Sequence, residues 1–316
     1  MSDIPVKVLA RHEEAEGIYS YELARPDGAP LPAFSAGSHI DVHLPGGIVR
    51  QYSLYNNDQE THRYRIAVLR DPASRGGSIA MHDQVKTGDM LTISAPRNHF
   101  PLVSSPFSLL LAGGIGITPL LCMAQRLAAT DRDFRLHYCT RSLSRTALKD
   151  SVAALGDRAR LHLDDGDASQ KLDLPKALAA APAGTRLYVC GPAGFIDFVV
   201  NTAKAAGWPT DHLHMEYFGA APQDTTGDRA FEVRIASTGK TYTIAADKTV
   251  LAALQEQDVD VLASCEQGVC GTCLTRVLEG ECDHRDMYLT DDEKARNDQF
   301  LPCCSRAKSP LLVLDL

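Results

Sequence analysis

Cys265-Glu266-Gln267-Gly268-Val269-Cys270-Gly271-Thr272-Cys273 sets three thiols in nine residues, with two glycines between them. The spacing is C-x4-C-x2-C, and a fourth thiol follows at Cys303 inside Leu301-Pro302-Cys303-Cys304-Ser305-Arg306. That series is the ligand spacing of a plant-type [2Fe–2S] cluster, with Cys303 as the fourth ligand and Cys304 as the alternative. Thiolates and bridging sulfides crowd negative charge together, so backbone N–H groups must turn toward them. Gly268 and Gly271 permit the left-handed backbone of such a cradle and keep side chains off the sulfurs. Structural zinc competes for four thiolates, but zinc ribbons pair two short knuckles, and here one half is a lone cysteine. Incidental buried thiols would account for Cys122, Cys139, Cys190 and Cys282, but not for this dense run. A one-electron centre needs a donor within reach and an acceptor outside.

Upstream of the thiols the chain changes character twice. Residues 1–105 read as short strands broken by Pro/Gly turns: Ile18–Leu23, His39–Leu44, Arg63–Leu69 and Met90–Ala95. Such punctuation favours an antiparallel β-barrel. From residue 106 strands and helices alternate. Strands are expected at Phe107–Ala112, Phe134–Thr140, Ala159–Leu163 and Arg186–Cys190, and helices at Pro119–Ala129, Thr146–Leu155, Pro175–Ala180 and Gly194–Ala206. That alternation is a doubly wound α/β domain, 106–222. Ala220–Asp228 is small and polar, the best linker, and 228–316 is left as an α+β unit around the cluster. The fold class is therefore multidomain.

Charge separates these parts. Residues 223–316 hold 17 acidic against 10 basic side chains, so seven of the net −8 charges lie with the cluster. Acidity argues against a nucleic-acid partner, and it suggests either a docking face for a basic redox protein or a solubilising surface. No apolar run is long enough to span a bilayer, and Met1–Lys7 lacks the parts of a signal peptide. Nine cysteines without a disulfide pattern fit a reducing cytoplasm.

Four further motifs carry chemistry. Ala112-Gly113-Gly114-Ile115-Gly116-Ile117-Thr118-Pro119 joins a strand to a helix, where bare backbone and a helix N-terminus suit a diphosphate. It is not the G-x-G-x-x-G fingerprint, because Pro119 stands at the last glycine, and a purely structural turn is the competing reading. Cys190-Gly191-Pro192 ends a later strand, where open α/β sheets bind ligands, although alone it reads as a turn over a buried thiol. In Arg50-Gln51-Tyr52-Ser53 an arginine can hold phosphate, a tyrosine can pack on a flat ring and a serine can reach a ring heteroatom. Alone it is an ordinary strand. Arg75-Gly76-Gly77-Ser78 precedes a helix-like stretch and forms an anion site or merely a serine-capped loop.

In this order, with Arg97-Asn98-His99-Phe100-Pro101-Leu102, Asp283–Met287 and Ser305–Ser309, the motifs resemble the phthalate dioxygenase reductase family over essentially the whole chain. Vanillate demethylase reductases share the arrangement. The resemblance implies FMN in the barrel, NADH in the α/β domain and the [2Fe–2S] cluster at the C-terminus. Arg50 would bind the FMN phosphate, Gln51 would add its backbone, and Tyr52 and Ser53 would contact the isoalloxazine. Ala67, Val68 and Leu69 would line the ring, and Gly76, Gly77 and Ser78 the phosphate. The family often has lysine where Leu69 stands. Thr118 and Phe218 would approach the flavin from the nucleotide domain.

Gly114, Gly116, Cys190, Gly191 and Pro192 would receive the NADH pyrophosphate and nicotinamide, and Thr140 and Arg141 the adenosine ribose. The phthalate branch has an acidic residue where this chain has Ser142, which leaves NADPH open. The implied activity is reductase of a two-component Rieske oxygenase or demethylase acting on aromatic compounds, an electron-transfer enzyme without its own general base. His39, His82 and His99 are read as structural. Competing readings are an FAD-dependent reductase serving a diiron hydroxylase and a non-catalytic electron carrier.

Overall fold

The computed structural model describes residues 3–219 and 223–316. Part of the expected linker, Ala220 to Pro222, lies outside the described residues, as do Met1 and Ser2 of the leader reading. The chain divides into two compact units, 1–218 and 219–316.

The first unit begins with six strands: β1 (Ile4–Ala15), β2 (Ile18–Ala24), β3 (His39–Leu44), β4 (Ile48–Ser53), β5 (Tyr64–Leu69) and β6 (Met90–Ile93), with helix α1 (Gly77–Gln84) before the last. Their order is β4-β3-β6-β1-β2-β5, antiparallel throughout, and a bridge from Leu54 to Ile66 brings the two ends of the sheet together. In β1, Ile4, Val6 and Val8 alternate inward while Pro5, Lys7 and Leu9 face out, the period-2 pattern of a half-buried strand. The expected strands are present, and β1 is an addition to them.

The same unit continues with β7 (Ser108–Gly113), α2 (Ile117–Ala129), β8 (Phe134–Thr140), α3 (Lys149–Ala153), β9 (Ala159–Leu163), α4 (Leu174–Ala179), β10 (Arg186–Gly191), α5 (Ala193–Ala205) and β11 (Leu213–Tyr217). All five strands are parallel, in the order β11-β10-β7-β8-β9. β7 is apolar at successive positions because both its faces are covered. Leu109 and Leu111 join one core and Leu110 and Ala112 the other. The chain winds to one side through β8 and β9, then returns to β10 on the other, so the topological switch lies between β7 and β10.

One expectation needs correction. The helix expected over 146–155 shrinks to α3. Thr146 Oγ1 is tied to Thr140 Oγ1 at 2.8 Å and to the Ser142 carbonyl at 2.9 Å, and Leu148 takes a left-handed φ of 55°. The barrel and the α/β sheet pack on a shared core. Ala15, Ile18, Tyr55, Ala67 and Phe100 share one core with Leu110, Leu120 and Tyr138.

The second unit contains β12 (Phe231–Ile235), β13 (Thr241–Ile244), α6 (Val250–Gln255), β14 (Thr275–Glu279), β15 (Cys282–Asp283), α7 (Asp291–Arg296), β16 (Gln299–Phe300), β17 (Arg306–Ala307) and β18 (Leu311–Leu314). Its mixed sheet runs β13-β12-β18-β14-β16, and β15 pairs with β17. Thr249 caps α6 by accepting the Ala252 N–H, and Thr290 with Glu293 forms a capping box on α7. The thiol-rich loop lies between α6 and β14.

Candidate functional site

In the thiol loop, Glu266, Gly268 and Gly271 have φ of 53°, 73° and 70°, which curls the backbone so that N–H groups point inward. The Gln267 N–H faces Cys265 Sγ at 3.4 Å and the Thr272 N–H faces Cys270 Sγ at 3.4 Å. The segment after β15 roofs the loop, with the Met287 N–H donating to the Gly268 carbonyl at 3.0 Å. A Cβ on Gly268 would stand 2.4 Å from Cys304 Sγ, and one on Gly271 would stand 2.3 Å from the Tyr288 ring. Neither position has room for a side chain.

The four thiols meet in a series, Cys270 to Cys265 to Cys303 to Cys273. Hydrogen bonds from Cys270 and then Cys303 hold the Cys265 thiol far below its ordinary value, and the same contacts raise Cys270 and Cys303. Cys303 touches Cys265, Cys273 and Cys304. Cys304 is aimed at the Leu301 carbonyl and Ser305 Oγ, each at 3.7 Å. Among the described residues no group of three or more His, Cys, Asp or Glu is arranged to hold a single metal ion. A bare, N–H-lined cradle with four converging sulfurs suits a [2Fe–2S] cluster.

The second constellation lies at the switch point. The Gly114–Gly116 turn follows β7 and Cys190–Pro192 follows β10, and the sheet sets them side by side. A Cβ on Gly116 would lie 2.3 Å from the Cys190 carbonyl oxygen, and one on Gly191 would lie 2.9 Å from Gly113 Cα. Two motifs 74 residues apart thus form one crevice of bare backbone, which fits a dinucleotide diphosphate. Cys190 is fully buried, and burial, then Glu216, pushes its thiol well above the ordinary value. Thr118 is buried, with its hydroxyl donating to the Ile115 carbonyl at 3.1 Å. Thr140 is buried against Thr146, while Arg141 stands exposed at the end of β8.

The third constellation is on the barrel. Arg50 crosses the start of α1 so closely that a Cβ on Gly77 would lie 2.3 Å from its Cγ. Its guanidinium donates to the Val49 and Arg75 carbonyls at 2.7 and 2.8 Å. Gly76, with φ 85°, and Ser78 complete this corner, where an arginine and a helix N-terminus fit a terminal phosphate. Tyr52 shares the Arg50 face of β4, and burial holds its phenol protonated. Gln51 pairs in register with Asp41. Ala67 and Leu69 share a face of β5, but the Val68 side chain enters the barrel core, so only its backbone is available to a ring. The Val68 carbonyl bonds His82 Nε2 at 2.8 Å, and His39 stacks on His99. Phe218 is 42% exposed at the end of β11.

Ser53 joins the barrel to the crevice. Its Oγ donates to Glu216 Oε2 at 3.4 Å, across 163 residues of sequence. Glu216 is half-buried by surface exposure, yet desolvation pushes its carboxyl up to about 8, only partly offset by Ser53. Glu216 lies outside every motif the sequence offers. The available signal was an acid at the C-terminal end of a short strand in an α/β sheet.

Comparison with known proteins agrees with this geometry. Residues 233–308 match the 2Fe-2S iron-sulfur cluster binding domain family, and residues 100–213 match the N-terminal domain of the dimethylamine monooxygenase subunit DmmA-like family. The chain is 54% identical over 316 residues to the vanillate O-demethylase oxidoreductase of Pseudomonas sp. strain HR199, covering 99% of this chain and all of the relative. The chain belongs to the vanillate O-demethylase oxidoreductase and phthalate dioxygenase reductase family. The solved phthalate dioxygenase reductase superposes with a TM-score of 0.78 at 41% identity, covering 100% of this chain and 98% of that one. A type IV self-sufficient cytochrome P450 monooxygenase gives 0.86 at 38% identity, over 99% of this chain but 41% of its own. Family membership makes the protein an oxidoreductase with a flavin-type barrel, a nucleotide-type α/β sheet and a [2Fe–2S] domain. No described helix is long and apolar enough to cross a membrane.

Proposed function

We propose that this chain is the NADH-dependent reductase of a two-component Rieske oxygenase or demethylase acting on an aromatic compound. The observation that carries it is the cradle of Cys265, Cys270, Cys273 and Cys303 in one chain with the switch-point crevice and the Arg50 corner. When bound, FMN and the [2Fe–2S] cluster convert the two-electron hydride of NADH into single electrons for the oxygenase. Arg50 and Gly76–Ser78 hold the FMN phosphate, Gln51 lends its backbone, and Tyr52, Ser53, Ala67, Leu69, the Val68 backbone, Thr118 and Phe218 border the ring. Gly114, Gly116 and Cys190–Pro192 admit the NADH diphosphate and nicotinamide, and Thr140 and Arg141 mark the ribose end. Ser53 and Glu216 position the reacting faces and exclude water. Cys303, touching two of the other thiols, serves as the fourth ligand.

The domains of this proposal are 1–105, 106–222 and 228–316. The acidic second unit favours a basic oxygenase surface, and nine free cysteines favour the cytoplasm. Adding NADH anaerobically to the purified protein, without an oxygenase, tests the reading. Flavin absorbance should bleach first and cluster absorbance second, and the released flavin should have the mass of FMN. A flavin unmoved by NADH refutes the proposal, and FAD in place of FMN supports a diiron-hydroxylase reductase instead.

A further inference from the structure

The residues that open the second unit are bound to it by charge. Arg285, in the segment that roofs the thiol loop, takes Asp228 in a bidentate pair, Nη1 to Oδ2 at 3.0 Å and Nη2 to Oδ1 at 2.5 Å. The same guanidinium bonds Asp283 at 2.7 Å. Arg306, almost fully buried, reaches Asp228 at 3.5 Å and donates to the Arg229 carbonyl at 3.0 Å. Gln223 Nε2 donates to the Arg285 carbonyl at 3.0 Å. The segment between is folded on itself, with the Thr226 N–H on Asp224 Oδ1 and the Asp228 N–H on the Thr225 carbonyl. None of these groups belongs to the thiol cradle, the switch-point crevice or the Arg50 corner described above. Bidentate, partly buried arginine–carboxylate pairs are among the strongest side-chain contacts.

The pairs sit on residues that composition alone reads as a loose linker. With them in place, five peptide steps separate Phe218, the last residue of the first unit, from Gln223. That length spans at most about 18 Å. If the segment were released, the count to Phe231 at the start of β12 would be 13 steps, spanning at most about 45 Å.

We propose that Asp228 and Arg285 are positioning residues that shorten the tether, and so raise the rate at which an electron passes from the flavin to the cluster. The proposal rests on the flavin-to-cluster reading above. Effective concentration falls with about the −3/2 power of tether length, so release from 5 to 13 steps predicts a roughly four-fold loss.

Gln223→Ala/Asp228→Asn is the sensitive variant, because it removes both anchors of the segment while Arg285 keeps Asp283 and Arg306 keeps its carbonyl acceptors, so no cation is stranded. In the holoprotein, flavin is reduced by NADH and cluster reduction is followed by stopped-flow absorbance. Cluster reduction should slow about three- to four-fold, with flavin reduction and the cluster's midpoint potential unchanged, and trypsin should cut faster after Arg229. Inserting eight Gly/Ser residues after Pro222 should slow cluster reduction similarly, without faster cleavage after Arg229. Unchanged cluster reduction in Gln223→Ala/Asp228→Asn overturns the proposal. A slowed rate with a shifted cluster potential overturns it too, because the pair would then act on the cluster itself. A wild-type protein whose reduced flavin never reduces the cluster sinks the underlying reading instead.

Discussion

The thiol loop and the switch-point crevice are both built of bare backbone around buried sulfur, yet they are assembled differently. Three of the four loop thiols come from nine consecutive residues, and the loop's own left-handed turns aim its N–H groups. The crevice has no such local unit. Gly116 meets Cys190 only because β7 and β10 pair in parallel with Ala112 beside Cys190. Glu216 meets Ser53 only because the barrel packs on the same core. A contiguous motif carries its geometry with it, whereas a distributed one depends on sheet register. The P450 match adds a related point, since this reductase fold also forms part of a different oxygenase.

The sharpest test of the contrast is Cys303→Ser. The cluster's absorbance and electron paramagnetic resonance signals should be lost or badly perturbed while NADH still bleaches the flavin, since the crevice owes nothing to the loop. A normal cluster in that variant would move the fourth ligand to Cys304.

A smaller effect should come from Gly116→Ala. The new Cβ would press on the Cys190 and Gly191 backbone, so the two strand ends must part. A loss of about 1–3 kcal/mol in unfolding free energy is expected, with weaker NADH binding in titrations and an unaltered cluster spectrum. Equal NADH affinity would show that the contact does not shape the crevice.

The smallest effect concerns Glu216. Its folded pKa, about 8, exceeds the ordinary carboxyl value, so the unfolded chain releases this proton first as pH rises. Its contribution is therefore fully present below about pH 4.5 and is lost progressively toward pH 8. Glu216→Gln should melt like the wild type near pH 4.5 and a few degrees higher at pH 8.5. Parallel melting curves across that range would remove the desolvated carboxyl from the account.

Much of the fold was legible. Continuous apolar runs marked β7 and β10, alternation marked the barrel strands, and glycine turns marked both phosphate-type corners. What escaped depended on distant partners. The helix expected from Thr146 is cut short by Thr140, and the Val68 side chain belongs to the barrel core. Gln223–Arg229 has linker composition but is bound by Arg285 and Arg306, and nothing local to the segment announces those partners.

By itself the sequence determined that four thiols could share one loop-centred site, because ligand spacing and glycine placement are short-range properties. It also determined that two phosphate-type corners exist, since each is a strand-to-helix turn. Only the tertiary structure brought Cys303 against Cys265 and Cys273, and the Cys304 sulfur against Gly268. It alone joined Gly116 to Cys190 and Ser53 to Glu216, and bound the linker to the cluster unit. Those contacts span tens to hundreds of residues, and packing and strand register, not local propensity, bring such residues together.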